Sequence, residues 1–129
     1  MAQLPTDPFA TVANLRDLVR QFVDERDWQQ FHTPKNLSMA LAIEAAELME
    51  HFQWLTAEES QQTIAEPASL SAIGEELADV LCYGLALANT LGLDISTIMQ
   101  AKMEKNRQKY PVTTFRGRFG PEDPRPPVV

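Results

Sequence analysis

Cysteine, glycine, histidine and basic residues are all scarce in this chain. A single cysteine among 129 residues rules out any internal disulfide. Cys82 stands in the apolar stretch Val80-Leu81-Cys82-Tyr83, and it reads as a small core residue in a reducing compartment. No apolar run is long enough to cross a bilayer. Met1 to Thr11 lacks the basic start and apolar stretch of a secretory leader. The expectation is a cytoplasmic protein with no membrane partner. Eleven basic residues against eighteen acidic ones give a net charge of −7. A surface for nucleic acid polymers needs a positive field, so that class is excluded. Binding of one nucleotide is not, because metal ions can carry the phosphate charge. Neither a strand pattern of any strength nor a repeat of fixed period is present.

What the chain has is helical periodicity. Its length suits one domain with a real core. Leu15, Leu18, Val19, Phe22 and Val23 form an apolar stripe, predicting a helix from Pro8 or Val12 to about Arg26. A break is expected at Trp28 to Lys35, marked by Thr33-Pro34. A second helix is expected from about Asn36 to Phe52. Thr56 to Ser69, with Pro67, reads as a connection holding one short helix near Ala57 to Ile64. The third helix, about Ser71 to Leu91, is apolar nearly all round and is expected to be central and buried. Gly92 ends it, and Asp94 caps a fourth helix from about Ile95 to Arg107, stopped by Tyr110-Pro111. The expected fold is all-α, of the four-helix-bundle type, over residues 1–119. The Pro-rich residues 120–129 are expected to form a loose tail.

Two acidic pairs carry the chemistry. Glu44 and Glu47 lie in Ile43-Glu44-Ala45-Ala46-Glu47-Leu48, and Glu76 and Asp79 in Glu75-Glu76-Leu77-Ala78-Asp79-Val80. Three-residue spacing puts each pair on one helix face. Taken singly, such a pair is more often a solvated surface feature. Two pairs on the two most apolar helices point instead to faces that meet. Like charges ~4 Å apart repel by roughly 4 kcal/mol at an effective dielectric near 20, and a hard dication reverses that sign. An all-oxygen donor set suits Mg²⁺. A ferritin-type di-iron centre needs Glu-x-x-His on two helices. His51 follows Glu47 by four residues and His32 sits in the break, so neither supplies one.

Other residues gain meaning beside a metal site. Tyr83 shares the face of Glu76 and Asp79. Lys102, Asn106 and Lys109, at i, i+4 and i+7, form either a solvated face or a clamp for a polyphosphate. Trp28, Phe31, His32 and Trp54 lie at helix ends, as core caps or as a platform for a nucleobase. Glu50 and Glu75 are reserve acids, and His51 stands behind the cluster or in solvent.

These residues resemble the all-α nucleoside triphosphate pyrophosphohydrolases of the MazG-like superfamily, and within it the dCTP pyrophosphatases. The likeness rests on Glu44-Ala45-Ala46-Glu47 with Glu76-Leu77-Ala78-Asp79. It extends through Glu25-Arg26-Asp27-Trp28-Gln29-Gln30-Phe31-His32, Phe52-Gln53-Trp54 and the run Lys102 to Pro111, covering about Thr11 to Pro111. It implies that the four acids, as catalytic groups, hold Mg²⁺. It implies too that Trp28 through His32, Trp54 and Tyr83 enclose the nucleoside, and that Lys102, Asn106, Lys109 and Tyr110 meet phosphate and sugar. Val19 replaces a nucleotide-contacting histidine, and Lys109 replaces an arginine, so a point charge stands in for a bidentate fork.

The resulting expectation is an Mg²⁺-dependent enzyme converting deoxycytidine triphosphates, modified ones included, to monophosphate and pyrophosphate in nucleotide-pool sanitation. The resemblance also implies a homo-oligomer, tetramer or dimer, completing the bundle. Two alternatives stand beside it: a dUTP or broad-specificity triphosphate pyrophosphatase, and a non-catalytic helical oligomerisation module.

Overall fold

The computed structural model describes residues 3–120, 122–126 and 128. These residues form helices and connections with no strand, as expected of an all-α protein. They fall into two compact units, Met1–Leu93 and Asp94–Val129.

In the first unit, helix α1 (Val12–Asp24) starts at a capping box. The Asn14 N–H donates to Thr11 Oγ1 at 3.1 Å, and the Thr11 N–H donates to Asn14 Oδ1 at 2.9 Å. The helix stops at Asp24, and Asp27 then takes a φ of 51°. Aspartate tolerates that left-handed region better than most residues. The turn returns the Trp28 N–H to the Val23 carbonyl at 3.1 Å and leads into a 3₁₀ turn, Gln29–Phe31.

Helix α2 (Pro34–Glu50) begins at the Thr33 cap, and α4 (Pro67–Leu91) begins at Pro67. Both start earlier than the sequence suggests, for one reason. Each proline occupies the first turn, where its missing N–H costs nothing and its fixed φ already suits a helix. The short helix α3 (Ala57–Thr63) lies between them, with a Thr56–Glu59 capping box. Gly92, at φ 64°, ends α4 in the left-handed conformation that glycine adopts freely.

Helix α4 packs against both α1 and α2. Its Asn89 Nδ2 donates to the Arg16 carbonyl at 3.1 Å, while Arg16 Nε donates to Asn89 Oδ1 at 2.9 Å. The α2 side chain Leu41 packs beside Gly84, where a Cβ would meet Leu41 Cδ1 at 3.6 Å, an ordinary contact. Leu37, Val23, Ala86 and Ala88 are the buried apolar residues. The expectation of a fully buried α4 is not met. The helix is central, yet Leu81 is 58 % exposed, and Leu70, Leu77 and Leu91 are also exposed. Two neighbours cover only part of a helix that is apolar all round. Cys82 is exposed as well, not a core residue, because its i+3 spacing from Asp79 puts it on the acid-bearing face.

In the second unit, helix α5 (Ile95–Lys109) is capped by Asp94, whose Oδ1 accepts from the Thr97 N–H at 2.8 Å. A four-residue helix, α6 (Val112–Phe115), follows, and its Phe115 ring meets Tyr110 edge-on at 5.3 Å. The segment expected to be a loose tail makes defined contacts at its described residues. Asp123 is buried and accepts from the Phe119 N–H at 2.9 Å and from Arg125 Nε at 2.9 Å. The Arg125 hydrogen bonds hold its carboxyl well below the usual range, with help from the Phe119 N–H and against the cost of burial. For Pro121, Pro127 and Val129 the tail expectation lies outside the described residues.

Leu37, 2 % exposed, is the most completely buried large side chain among those described. Leu37→Ala is expected to lower unfolding stability by about 2–5 kcal/mol through lost burial and a residual cavity. Urea denaturation checks this, and a loss under ~1 kcal/mol would place the core elsewhere.

Candidate functional site

Helices α2 and α4 bring their acidic faces together. Carboxylate oxygens of Glu44, Glu47 and Glu76 all lie within 4.8 Å of one another. The spacing of each pair set the faces, and the α2–α4 packing joined them. Asp79 stands beside this trio. Its charge helps to raise the Glu44 pKa, and its side chain lines the neighbouring cavity.

Glu44 is the electrostatic centre. Burial pushes its pKa above the ordinary carboxylate value, and the charges of Glu47, Asp79 and Glu76 push the same way. A hydrogen bond that the protonated Glu44 carboxyl donates to Glu47 adds to the rise. The trio fits a hard dication. One oxygen from each of the three residues lies within 4.8 Å of the others, and the donors are all carboxylate, the hard oxygen set that such a cation would take. Glu50 and Glu75 are exposed, and His51 is half-buried with its ring 6.4 Å from that of Phe52.

Next to the acids is a cavity of about 530 Å³ lined mainly by apolar side chains, with Trp28, His32, Tyr83 and Asp79 in its wall. The Phe22 and Trp28 rings meet edge-on, their centroids 5.8 Å apart, and Arg26 lies 3.7 Å over the Phe22 ring. Trp28, His32 and Tyr83 are thus brought together. Phe31, 59 % exposed, and Trp54, 87 % exposed, do not line this cavity. Leu18, Phe22 and Cys82 do, although their sequence pattern offers no functional reason to single them out. Although Cys82 is exposed, partial desolvation by the cavity wall, with the Asp79 charge, holds its thiol above the usual pKa.

Lys102, Asn106, Lys109 and Tyr110 belong to the second unit. Asn106 Nδ2 lies 3.9 Å from Met103 Sδ, and Lys109 Nζ lies 5.2 Å over the Tyr110 ring.

The description MazG-like family matches residues 39–118, which contain both acidic pairs. The chain belongs to this family. It is 44 % identical over 110 residues to dCTP pyrophosphatase 1 of Rattus norvegicus, an alignment covering 85 % of this chain and 65 % of the rat protein. Identity to dCTP pyrophosphatase 1 of Homo sapiens is 43 % over 109 residues, covering 84 % and 64 %. The chain therefore spans slightly less than two thirds of these two relatives. A crystal structure of a pyrophosphatase from Archaeoglobus fulgidus superposes with a TM-score of 0.72 at 36 % identity, covering 86 % of this chain and 99 % of that one. No single described helix is long and apolar enough to cross a membrane.

The Glu44 shift has a defined sign. Its folded pKa lies above the unfolded value near 4.5, so its stabilising contribution is complete below that value. It is lost as pH rises through the raised folded value. Metal-free protein is therefore expected to lose stability from this group as pH rises above the unfolded value near 4.5 and through the raised folded one. Glu44→Gln should raise the melting temperature of the metal-free chain at neutral pH and remove most of the stabilisation by Mg²⁺. Scanning calorimetry with and without Mg²⁺ checks both effects. An undiminished Mg²⁺ shift in the variant would remove Glu44 from the ligand set.

Proposed function

We propose that the chain hydrolyses nucleoside triphosphates, of the deoxycytidine type and including modified ones, to the monophosphate and pyrophosphate. The observation that carries this reading is the junction of two environments. Three carboxylates lie within 4.8 Å of one another, and Asp79 stands next to them in the wall of an aromatic-lined cavity. A polyphosphate belongs at the first and a nucleobase in the second. The names of the relatives, dCTP pyrophosphatase 1 and a pyrophosphatase, support the same reaction.

Glu44, Glu47, Glu76 and Asp79 are assigned as the Mg²⁺ ligands. Bound there, Mg²⁺ would supply charge neutralisation of the phosphates and a more acidic water. The chain's own contribution is position and polarity. Trp28 and Tyr83 offer ring faces to the base, and each base–aromatic stack is worth roughly 1–3 kcal/mol. His32 offers a ring nitrogen at the cavity edge. One motif acid, or Glu50 or Glu75, takes the proton of the attacking water. By resemblance, Phe31 and Trp54 belong to the nucleoside enclosure, and Lys102, Asn106, Lys109 and Tyr110 to the phosphate and sugar contacts.

A homo-oligomer, dimer or tetramer, completes the reading, together with a cytoplasmic setting and the absence of nucleic acid or membrane partners. Its support is exposed apolar surface on the two acid-bearing helices, where Ile43 is 56 % and Leu81 58 % exposed. Sedimentation equilibrium is expected to give a mass at least twice that of the 14.5 kDa chain. A monomer at all concentrations would contradict this part.

The reaction is tested by resolving products with Mg²⁺ present. One pyrophosphate per monophosphate is expected; stepwise release of single phosphates would overturn the proposal. Glu47→Gln should cut turnover at least 100-fold with helical content unchanged, a loss of about 2.7 kcal/mol of transition-state stabilisation. Activity surviving that change would refute the ligand assignment.

A further inference from the structure

Among the described residues, Asp123 is the buried charged side chain, and the reaction proposed above makes no use of it. A buried carboxylate is costly unless its oxygens are bonded, and these are. Oδ1 accepts from the Arg125 N–H at 3.0 Å and from Arg125 Nε at 2.9 Å. Oδ2 accepts from the Phe119 N–H at 2.9 Å and from Arg125 Nη2 at 2.5 Å. The Arg125 fork thus meets both oxygens, a geometry that lysine cannot offer. The Asp123 carbonyl in turn accepts from Arg118 Nη2 at 2.7 Å. The described residues from Arg118 to Arg125 are thereby closed around a single charge.

This closed segment reaches back to α6. Arg118 Nη1 lies 3.4 Å from the Thr114 carbonyl, and the Arg118 N–H donates to the Phe115 carbonyl at 2.9 Å. The Val128 N–H donates to the Arg116 carbonyl at 2.8 Å. Gly117 makes that return possible: its φ is 71°, and a Cβ there would run into Val128 Cγ2. The four residues of α6 make barely one turn, which does not hold without outside support, so the helix depends on these bonds. Its Phe115 ring meets Tyr110 edge-on at 5.3 Å, and Lys109 Nζ stands 5.2 Å over the Tyr110 ring. Asp123, Arg118, α6, Phe115, Tyr110 and Lys109 form one continuous line of contacts within the second unit.

We propose that Asp123 is a positioning residue: it locks the C-terminal segment onto α6, and so holds Tyr110 and Lys109 in place for the phosphates and sugar of the substrate. This deepens, and rests on, the nucleotide reading above, in which those two residues are the phosphate and sugar contacts. Tyr110 is 47 % exposed, and the edge of Phe115 is the aromatic contact that sets its ring angle. A lysine on a flexible four-carbon stem is ordered by the ring beneath it. Side chains already ordered lose less freedom on binding, so the effect is felt as affinity. The sign is distinctive. Asp123 carries the same charge as a phosphate, so a field effect of removing it would tighten an anionic ligand. Positioning predicts weaker binding.

The experiment measures calorimetric binding of two ligands to the wild-type chain, Asp123→Asn and Gly117→Ala. One ligand is a non-cleavable α,β-imido analogue of deoxycytidine triphosphate with Mg²⁺; the other is free deoxycytidine. Both variants should weaken the analogue by about 5-fold or more relative to the nucleoside, with helical content unchanged. Asp123→Asn removes a negative charge and Gly117→Ala removes none, so a loss shared by both excludes a field effect. Proton NMR of the two tyrosine rings needs no ligand: the Tyr110 resonances should move in both variants, and those of Tyr83 should not. Unmoved Tyr110 resonances, tighter binding, or equal losses on analogue and nucleoside would overturn the proposal. Should Asp123→Asn fail to fold, Gly117→Ala decides alone by the same criteria. A wild-type chain that binds neither ligand, with Tyr110 moved in the variants, would sink the nucleotide reading and leave the hold of Asp123 on Tyr110 standing.

Discussion

Crowding carboxylates between two packed helices is the constraint to which the rest of the first unit is subordinate. Glu44, Glu47 and Glu76 repel one another within 4.8 Å, and burial adds to the cost at Glu44. That arrangement persists only if the packing of α2 on α4 is strong enough to impose it. The buried Leu37 and the contact of Leu41 beside Gly84 contribute that packing. The fold thus invests its best-packed interface in holding like charges together, which is strain with a purpose if a dication is the intended guest.

The cavity follows from the way α1 ends. The left-handed turn at Asp27 and the Trp28 N–H bond to Val23 place Trp28 against Phe22, so one wall is aromatic. The opposite wall is α4, where Asp79, Cys82, Tyr83 and Ala86 recur at helical spacing. The paired Arg16–Asn89 hydrogen bonds tie α1 to α4 at the end of that space away from the acids. A polar pair at that point sets register, where apolar contact alone would allow sliding.

The acidic faces were legible in the sequence because i, i+3 spacing is independent of packing details. Trp28, His32 and Tyr83 were legible too, as chemically unusual residues beside helix ends or on the acid-bearing face. Leu18 and Phe22 were not, since an apolar stripe has the same period whether it fills a core or lines a cavity. Cys82 was misread for a related reason: apolar neighbours in sequence do not say which side of a helix is covered. Pro34 and Pro67 read in the sequence as interruptions although both open helices, because the same fixed φ ends one element and begins the next. The four-residue α6 is too short for periodicity to register.

The exposed apolar residues are interleaved with the acids. Ile43 precedes Glu44, Leu77 follows Glu76, and Leu81 lies two positions beyond Asp79. If that surface stayed wet, water would screen the carboxylates and weaken both their repulsion and their hold on a cation. Covering it with apolar surface from another copy would lower the local dielectric. Repulsion in the empty site and attraction in the filled one would then rise together. Assembly and metal binding would each favour the other through the same few residues, without any change in helix packing. In such an assembly the exposed Leu77 and Leu81 of α4 would bear on the electrostatics of the acids beside them.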